Sequence, residues 1–351
     1  MRANKEVSWV ATRKTKKTTS KSKHENRSKP ISFEEISHTL RRLKGEVQKS
    51  FKGNERLAEQ VILSLIAGSH LIIKTNRGMG QSNLVTSLAR TIEDATASRI
   101  YASGQTSGDH LRGDIQDAKD DTKTSHKKNP LFCNIVLVER LFDAPHLIPC
   151  FEEGMKEREM TIKGVQYPVP KPFFVIATID ENHPLVQDMP WDITENFLFM
   201  TTLAYPDRDT EKEIIKKQSK ITGRKPSSSV KEIVSRDAFK QIQRQLGNVY
   251  LSDKMTAFII DLTEATRGNN PSIEGNEYIK RGASVKASID LARASKAKAL
   301  YEGRDHVLPE DVISIFKNVL CHRISINHKG KANGITTERV IDEIMEKIDA
   351  I

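Results

Sequence analysis

Thr75 to Ser82, TNRGMGQS, is the stretch whose residue types could hold a phosphate. Gly78 and Gly80 let the backbone turn so that its N–H groups converge on an anion. The hydroxyl of Ser82 could ligate a Mg²⁺ ion carried with that anion. The full phosphate-loop pattern is G-x-x-x-x-G-K-[ST]. Here the first glycine is replaced by Thr75 and the lysine by Gln81, while Gly80 and Ser82 stand in place. A neutral amide brings no charge to the outer phosphates. The stretch therefore reads in two ways. One is a phosphate loop without its lysine, with Thr75, Asn76, Arg77, Gly78, Met79, Gly80, Gln81, Ser82 and Asn83 around ATP or ADP. The other is an ordinary strand–helix turn that needs glycine for its backbone.

Three other places carry chemistry-bearing groups. Glu139-Arg140 follows the apolar run Asn134 to Val138, and Asp180-Glu181-Asn182 follows Phe173 to Thr178. Charged residues at the carboxyl ends of buried parallel strands face the crevice where α/β folds bind ligands; a salt-bridged strand end is the alternative. Glu139 and Arg140 could also pair with each other and fill a metal site. His146 and Cys150 stand four apart on one expected helix, a metal-ligand spacing, but no second pair accompanies them. Cys150 fits the apolar stripe of that helix, which favours a core thiol over zinc.

The elements that must position these groups are legible in the hydrophobic pattern. Leu71-Ile72-Ile73 is long enough for a buried strand, and Leu84, Leu88 and Ile92 after the loop share one helical face. Upstream, Ser32 to Glu35 (SFEE) is a capping box opening a helix to about Phe51. Glu55 to Ala67 is a second helix, stopped by Gly68. Ser98 to Ala102 is a strand, and 103–129 is a long polar surface loop with room for one helical turn. Asn134 to Val138 is a central parallel strand, buried on both faces. His146 to Lys156 is a helix whose regular part begins near Pro149. Residues 157–168 form a hairpin turning at Lys163-Gly164. Phe173 to Thr178 and Phe197 to Leu203 are further strands. After Asp207 the periodicity is helical throughout: Thr210 to Thr222, Val230 to Leu246, Ser252 to Thr266, Ala283 to Tyr301 and Pro309 to Leu320, with no strand. Residues 319–332 are basic and irregular, and Thr336 to Ile348 is a final helix. The expected fold is α/β: a central parallel sheet flanked by helices, then an all-α lid.

The chain has 351 residues and a net charge of +10, but the charge is unevenly placed. Residues 1–30 hold ten Lys or Arg against Glu6 and Glu25, which puts +8 on the tail and +2 on the rest. A nucleic-acid or acidic partner is thus an expectation for residues 1–30 only. Their composition cannot bury enough apolar surface to offset ordering entropy, so an unstructured arm is expected. No apolar h-region follows the basic residues, which excludes a secretory signal there. No apolar run approaches ~18 residues, so no membrane span is expected. Cys133, Cys150 and Cys321 are odd in number and widely spaced, which points to a reducing, cytoplasmic compartment without disulfides.

Five colinear segments, across roughly residues 32–322, resemble the MoxR family of AAA+ ATPases. GNERLAEQVILSLIAGSHLII resembles the helix and strand leading into that family's nucleotide loop. NPLFCNIVLVERLFDAP is similar to G-P-[IL]-F-A-N-[IL]-[LV]-L-A-D-E-I-N-R-A-P. FEEGMKEREMTIKGVQYPVPKPFFVIAT resembles the family hairpin and the strand after it. FLFMTTLAYPDRDTE and RGASVKASIDLARASKAKALYEGRDHVLPEDV resemble the entry to the lid and the lid itself.

The resemblance implies an ATPase site, and the matched positions carry it badly. The loop lysine falls on Gln81, while the hydroxyl ligand for Mg²⁺ is retained as Ser82. The Walker B aspartate falls on Glu139, which keeps a carboxylate one carbon longer. The glutamate that activates water falls on Arg140, a guanidinium that stays protonated and cannot act as a base. The sensor asparagine falls on Asp180, an anion that repels phosphate. The finger arginine falls on Asn196, and the lid arginine on Lys286, which keeps charge without the planar fork. Phosphoryl transfer rests on positioning and charge stabilisation, and a finger alone is worth ~10³ or more in rate. The differences gather where hydrolysis would occur, while strand cores, hairpin and lid still match.

These residues imply a pseudo-ATPase: an AAA+ assembly or adaptor subunit with weak or no turnover. An active ATPase in which Asp143 or Glu181 replaces the missing base is the second reading. A nucleic-acid binder led by the tail is the third. The resemblance implies homo- or hetero-oligomeric hexameric rings, and partners with von Willebrand factor A domains. The expected division is a tail at 1–30, an α/β core at 31–206, a helical lid at 207–325 and a linker with a C-terminal helix at 326–351.

Overall fold

The computed structural model describes residues 31–76, 78–108, 111, 130–162, 164–187, 189–219, 226–268 and 273–347. The basic tail, Arg77 and most of the polar loop at 103–129 lie outside the described residues. From Ile31 onward the chain forms one compact unit.

Helix α1, Phe33–Gln48, opens with the expected capping box. Glu35 N donates to Ser32 Oγ at 3.2 Å, and Ser32 N donates to the Glu35 carboxylate at 3.0 Å. Helix α2, Glu55–Ile66, buries Leu57, Val61, Ile62 and Leu65. It ends at Gly68, whose φ of +63° is easy only for glycine. Strand β1, Leu71–Thr75, then delivers the chain to the glycine loop, and α3, Gln81–Arg90, leaves it.

Strands β2 (Ala97–Tyr101), β3 (Ile135–Glu139), β6 (Phe174–Ile179) and β7 (Phe199–Leu203) complete a five-stranded sheet in the order β2-β3-β6-β1-β7. Every neighbouring pair is parallel. Ile135, Val136, Leu137 and Val138 are fully buried; such residues contribute roughly 2 kcal/mol each. From β1 the chain crosses to the far edge at β2 and walks back through β3 and β6. It then passes to the other side of β1 as β7. The crevice lies at the carboxyl ends of β1, β3 and β6, where this order reverses.

Pro145–Leu147 is a 3₁₀ turn, and the regular helix α4 is Ile148–Lys156, with Pro149 in its first turn. The hairpin pairs β4, Glu159–Ile162, with β5, Val165–Pro168, across Gly164 at φ +82°. Helices α5 (Arg208–Ser219), α6 (Arg236–Gln245), α7 (Asp253–Ala265), α8 (Val285–Tyr301) and α9 (Pro309–Leu320) follow. The last long helix is α10, Thr337–Lys347.

Two expectations need correction. The helix expected from Val230 begins only at Arg236, because Ile233 N and Val234 N both donate to Thr91 O, at 2.8 and 3.1 Å, and stretch the chain along the end of α3. Ser235 then caps the helix by accepting from Ala238 N. Nor is the region after Asp207 free of strands: β8, Ile279–Arg281, pairs antiparallel with β9, Ser325–Ile326. Both are too short to show a period of two.

The lid helices are fastened to the core. Ser37 Oγ donates to Tyr301 O at 2.6 Å, and Lys298 bridges Glu59 and Glu302 at 2.6 and 2.7 Å. Arg323 is fully buried and donates to Phe197 O and to Asp290 Oδ2, both at 2.8 Å. Among the described residues no helix is long and apolar enough to cross a membrane.

Candidate functional site

Gly78 and Gly80 take φ values of +83° and +87°, left-handed backbone that bends the chain between β1 and α3. A Cβ added at Gly78 would meet nothing within 4 Å, while one at Gly80 would touch the Phe51 ring at 3.7 Å. The loop is thus open on one side and packed on the other. Gln81, the first residue of α3, is buried and turned back into the loop. Its Nε2 donates to Thr75 Oγ1 at 3.1 Å and to Asn76 O at 3.0 Å. The amide at the lysine position therefore closes the loop onto itself. The Thr75 side chain, which replaces the first glycine, serves as one of its two anchors.

The loop, the end of β3 and the end of β6 line a cavity of about 350 Å³ containing Ser82, Glu139, Arg140 and Asp180. Arg99 and Tyr101 line it from β2. Glu139 does not pair with Arg140. It accepts on Oε2 from Arg99 Nε at 3.0 Å and Nη2 at 2.6 Å. Arg140 pairs instead with Asp143, and its Nη1 donates to the Tyr101 hydroxyl at 3.3 Å. Its backbone is left-handed, φ +60°, a strained setting for a side-chain-bearing residue. Its N–H bonds Thr178 Oγ1 at 3.1 Å. Asp180 Oδ1 accepts from Asn182 N at 3.0 Å in a turn of its own.

A second cavity, of about 410 Å³, lies across the loop and shares Gly78, Gly80 and Asn83 with the first. Its walls combine Phe51, Met79, Tyr205, Ile214 and Ile215 with Lys52, Glu211 and Lys217, so a flat ring would find an apolar surface edged by charged groups. Sequence reasoning passed over Arg99, Tyr101, Phe51 and Tyr205. Arg99 and Tyr101 had a usable signal: they stand two apart on a strand, so both face the same side.

Residues 70–198 match the model for the ATPase family associated with various cellular activities (AAA), and 275–344 match the AAA lid domain. Chaperone MoxR1 of Mycobacterium tuberculosis is 28% identical over 317 residues, covering 89% of this chain and 82% of that protein. YeaC of Bacillus subtilis, an uncharacterized protein, is 26% identical over 321 residues, covering 90% and 96%. A crystal structure of a candidate ATPase from Cytophaga hutchinsonii superposes with a TM-score of 0.80 at 28% identity, covering 91% of this chain and 97% of its own. The chain belongs to the MoxR family of AAA+ ATPases.

For a MoxR-family protein the expected occupant is a nucleotide with Mg²⁺, and the two halves of that occupant fare differently. The phosphate half fits: an open glycine turn runs into a helix N-terminus, with Ser82 lining the same cavity. The metal half does not. Glu139 is already neutralised by a guanidinium, and the position after it is itself a cation.

Asn196 and Lys286 line neither cavity. Asn196 Nδ2 donates to Glu152 Oε1 at 3.2 Å. Burial pushes the Glu152 carboxyl up, but bonds from Lys156 and Asn196 outweigh it and hold the group below its ordinary value. Lys286 pairs with Asp290 at 2.6 Å, one turn along α8. The residue before Asn196, Glu195, accepts from Ser284 Oγ at 2.9 Å and so ties that segment to the start of α8. His146, the residue with metal-ligand spacing, bonds Thr106 O through Nε2 at 2.8 Å, and Cys150 lies in the buried face of α4.

Proposed function

We propose that this MoxR-type chain is a chaperone-like assembly or adaptor subunit that retains the AAA+ frame and hydrolyses ATP weakly or not at all. The observation that carries the reading is Arg140. It stands where the family resemblance implies the water-activating glutamate, and it is held there by Asp143 and Tyr101. A guanidinium accepts no proton at neutral pH. The two acids that could substitute are poorly placed for it. Asp143 is spent on Arg140 itself, and Glu181 lines a separate cavity with Lys74 and Glu338.

Steady-state phosphate release by the full chain with Mg²⁺ and ATP tests the reading. The expected rate is background, and Ser82→Ala leaves it unchanged. Release clearly above background that disappears in Ser82→Ala overturns it. The fold and the named chaperone relative support ring membership, alone or beside an active paralogue, and the sequence resemblance alone is the ground for proposing partners of the von Willebrand factor A type. Light scattering that finds only monomer at high concentration, with and without nucleotide, removes the ring.

A further inference from the structure

We propose that the cavity beside the loop holds a nucleotide's phosphates without a divalent cation, with the Arg99 guanidinium supplying the positive charge that a metal would bring. This rests on the non-hydrolysing reading above but makes a separate claim about binding. Three observations meet here. First, Arg99 holds Glu139 with two of its five donors, Nε and Nη2, both on one carboxylate oxygen. The remaining donors belong to a side chain that is 60% exposed and lines the cavity. Second, Arg140 brings a second guanidinium to the same cavity, and its buried Nε has no hydrogen-bond partner. Third, the backbone turn at Gly78 is open toward solvent.

Two guanidiniums beside an open glycine turn can offer a polyphosphate planar, forked, charge-assisted hydrogen bonds, while Glu139 and Asp143 hold them in place and Asp180, on the same cavity wall and bonded to Asn182 N, opposes the phosphates and limits the affinity. The ordinary arrangement needs Mg²⁺ to screen the phosphates from a Walker B acid. In this chain the acid is screened from within the protein. A metal would have to displace Arg99 before it could reach Glu139. The second cavity, which shares Gly78 and Gly80, offers the base of a nucleotide the apolar side chains of Phe51, Met79 and Tyr205 on the other side of the loop.

The test is calorimetric titration of ADP and ATP into the full chain, once with MgCl₂ and once with EDTA, with phosphate release followed in the same samples. The expected affinities with and without metal agree within about threefold. Arg99→Ala frees Glu139, so binding in EDTA weakens by about tenfold or more, as expected for loss of a charge-assisted bond. Mg²⁺ then restores part of it, giving a metal dependence absent from the unaltered chain. Arg99→Lys keeps the charge and recovers part of the EDTA affinity. Binding that vanishes in EDTA, or no binding to millimolar nucleotide under either condition, overturns metal-free binding. Neither result touches the non-hydrolysing reading, which falls only if phosphate is released above background.

Discussion

Two arginine–carboxylate pairs in this molecule have the same chemistry and opposite surroundings. Arg99–Glu139 closes at 2.6 Å on the rim of the loop cavity, where Arg99 is 60% exposed. Arg323–Asp290 closes at 2.8 Å beneath the lid, where the arginine is 0% exposed and the aspartate 4%. The buried arginine also donates to Phe197 O and faces Glu195 at 3.8 Å, so one side chain ties the lid helix α8 to the segment entering β7. The rim arginine touches one acid and keeps donors to spare. Charge has been fixed where the lid meets the core and left recruitable where a ligand would arrive. Asn196 and Lys286 fall on the fixed side, spent on Glu152 and Asp290.

The comparison breaks most decisively at Arg323. Removing one member of a buried pair strands the other charge, which is typically worth about 3–5 kcal/mol. Arg323→Ala is expected to lower the free energy of urea unfolding by that amount. A loss below about 1 kcal/mol would mean that Lys286 alone satisfies Asp290 and that the lid is held elsewhere.

A second effect, of intermediate size, comes from two histidines buried in the same junction. Burial, aided by Arg158 for His70 and by Arg323 for His322, pushes both down to about 3 from an ordinary 6.5. His70 Nδ1 accepts from Val175 N at 3.0 Å, a bond that requires that nitrogen to be unprotonated. In the unfolded chain both histidines take up protons as the pH falls through about 6.5, while the folded chain resists until about 3. Stability contributed by the neutral rings is therefore complete above 6.5 and is lost across that window. The expected slope below 6.5 is roughly 1.4 kcal/mol per pH unit for each ring. Urea melts between pH 7 and 5 check it, and His322→Gln should halve the slope. A flat profile would show that the junction admits water.

Most of the frame was legible in the sequence because burial leaves a period. The run Ile135 to Val138, the stripe of α2 and the capping box at Ser32 each announced themselves through residue types at fixed spacing. The two-residue strand β9 offered no period, and the late start of α6 was set by Thr91, 142 residues upstream of Ile233. The site was legible in a different way. Which residues would surround the loop followed from family spacing, but who pairs with whom did not. Glu139 chose Arg99 over its neighbour Arg140 because β3 ends at Glu139, and the left-handed backbone of Arg140, φ +60°, turns that side chain to Asp143 and Tyr101. Arg99, on the next strand, shares the face of Glu139. That choice depends on β2 lying beside β3, a fact of sheet order that no local pattern encodes.

The smallest expected effect sharpens the comparison from the other end. Arg99→Ala removes an arginine–carboxylate pair as short as the one at Arg323, so bond length alone predicts similar damage. Exposure predicts otherwise. Arg99 is 60% exposed and Glu139 13%, so the arginine keeps most of its hydration and the pair contributes about 1 kcal/mol or less. Glu139, left without its partner, borders an open cavity and can be rehydrated. The expected outcome is an unfolding free energy within about 1 kcal/mol of the unaltered chain, beside the much larger loss in Arg323→Ala. If Arg99→Ala instead cost about 3 kcal/mol, Arg99 would be a strut of the sheet edge. Any loss of nucleotide affinity in that variant would then follow from a damaged loop rather than from a missing charge. A small effect on stability with a large one on metal-free binding is the combination that makes Arg99 a ligand-facing group.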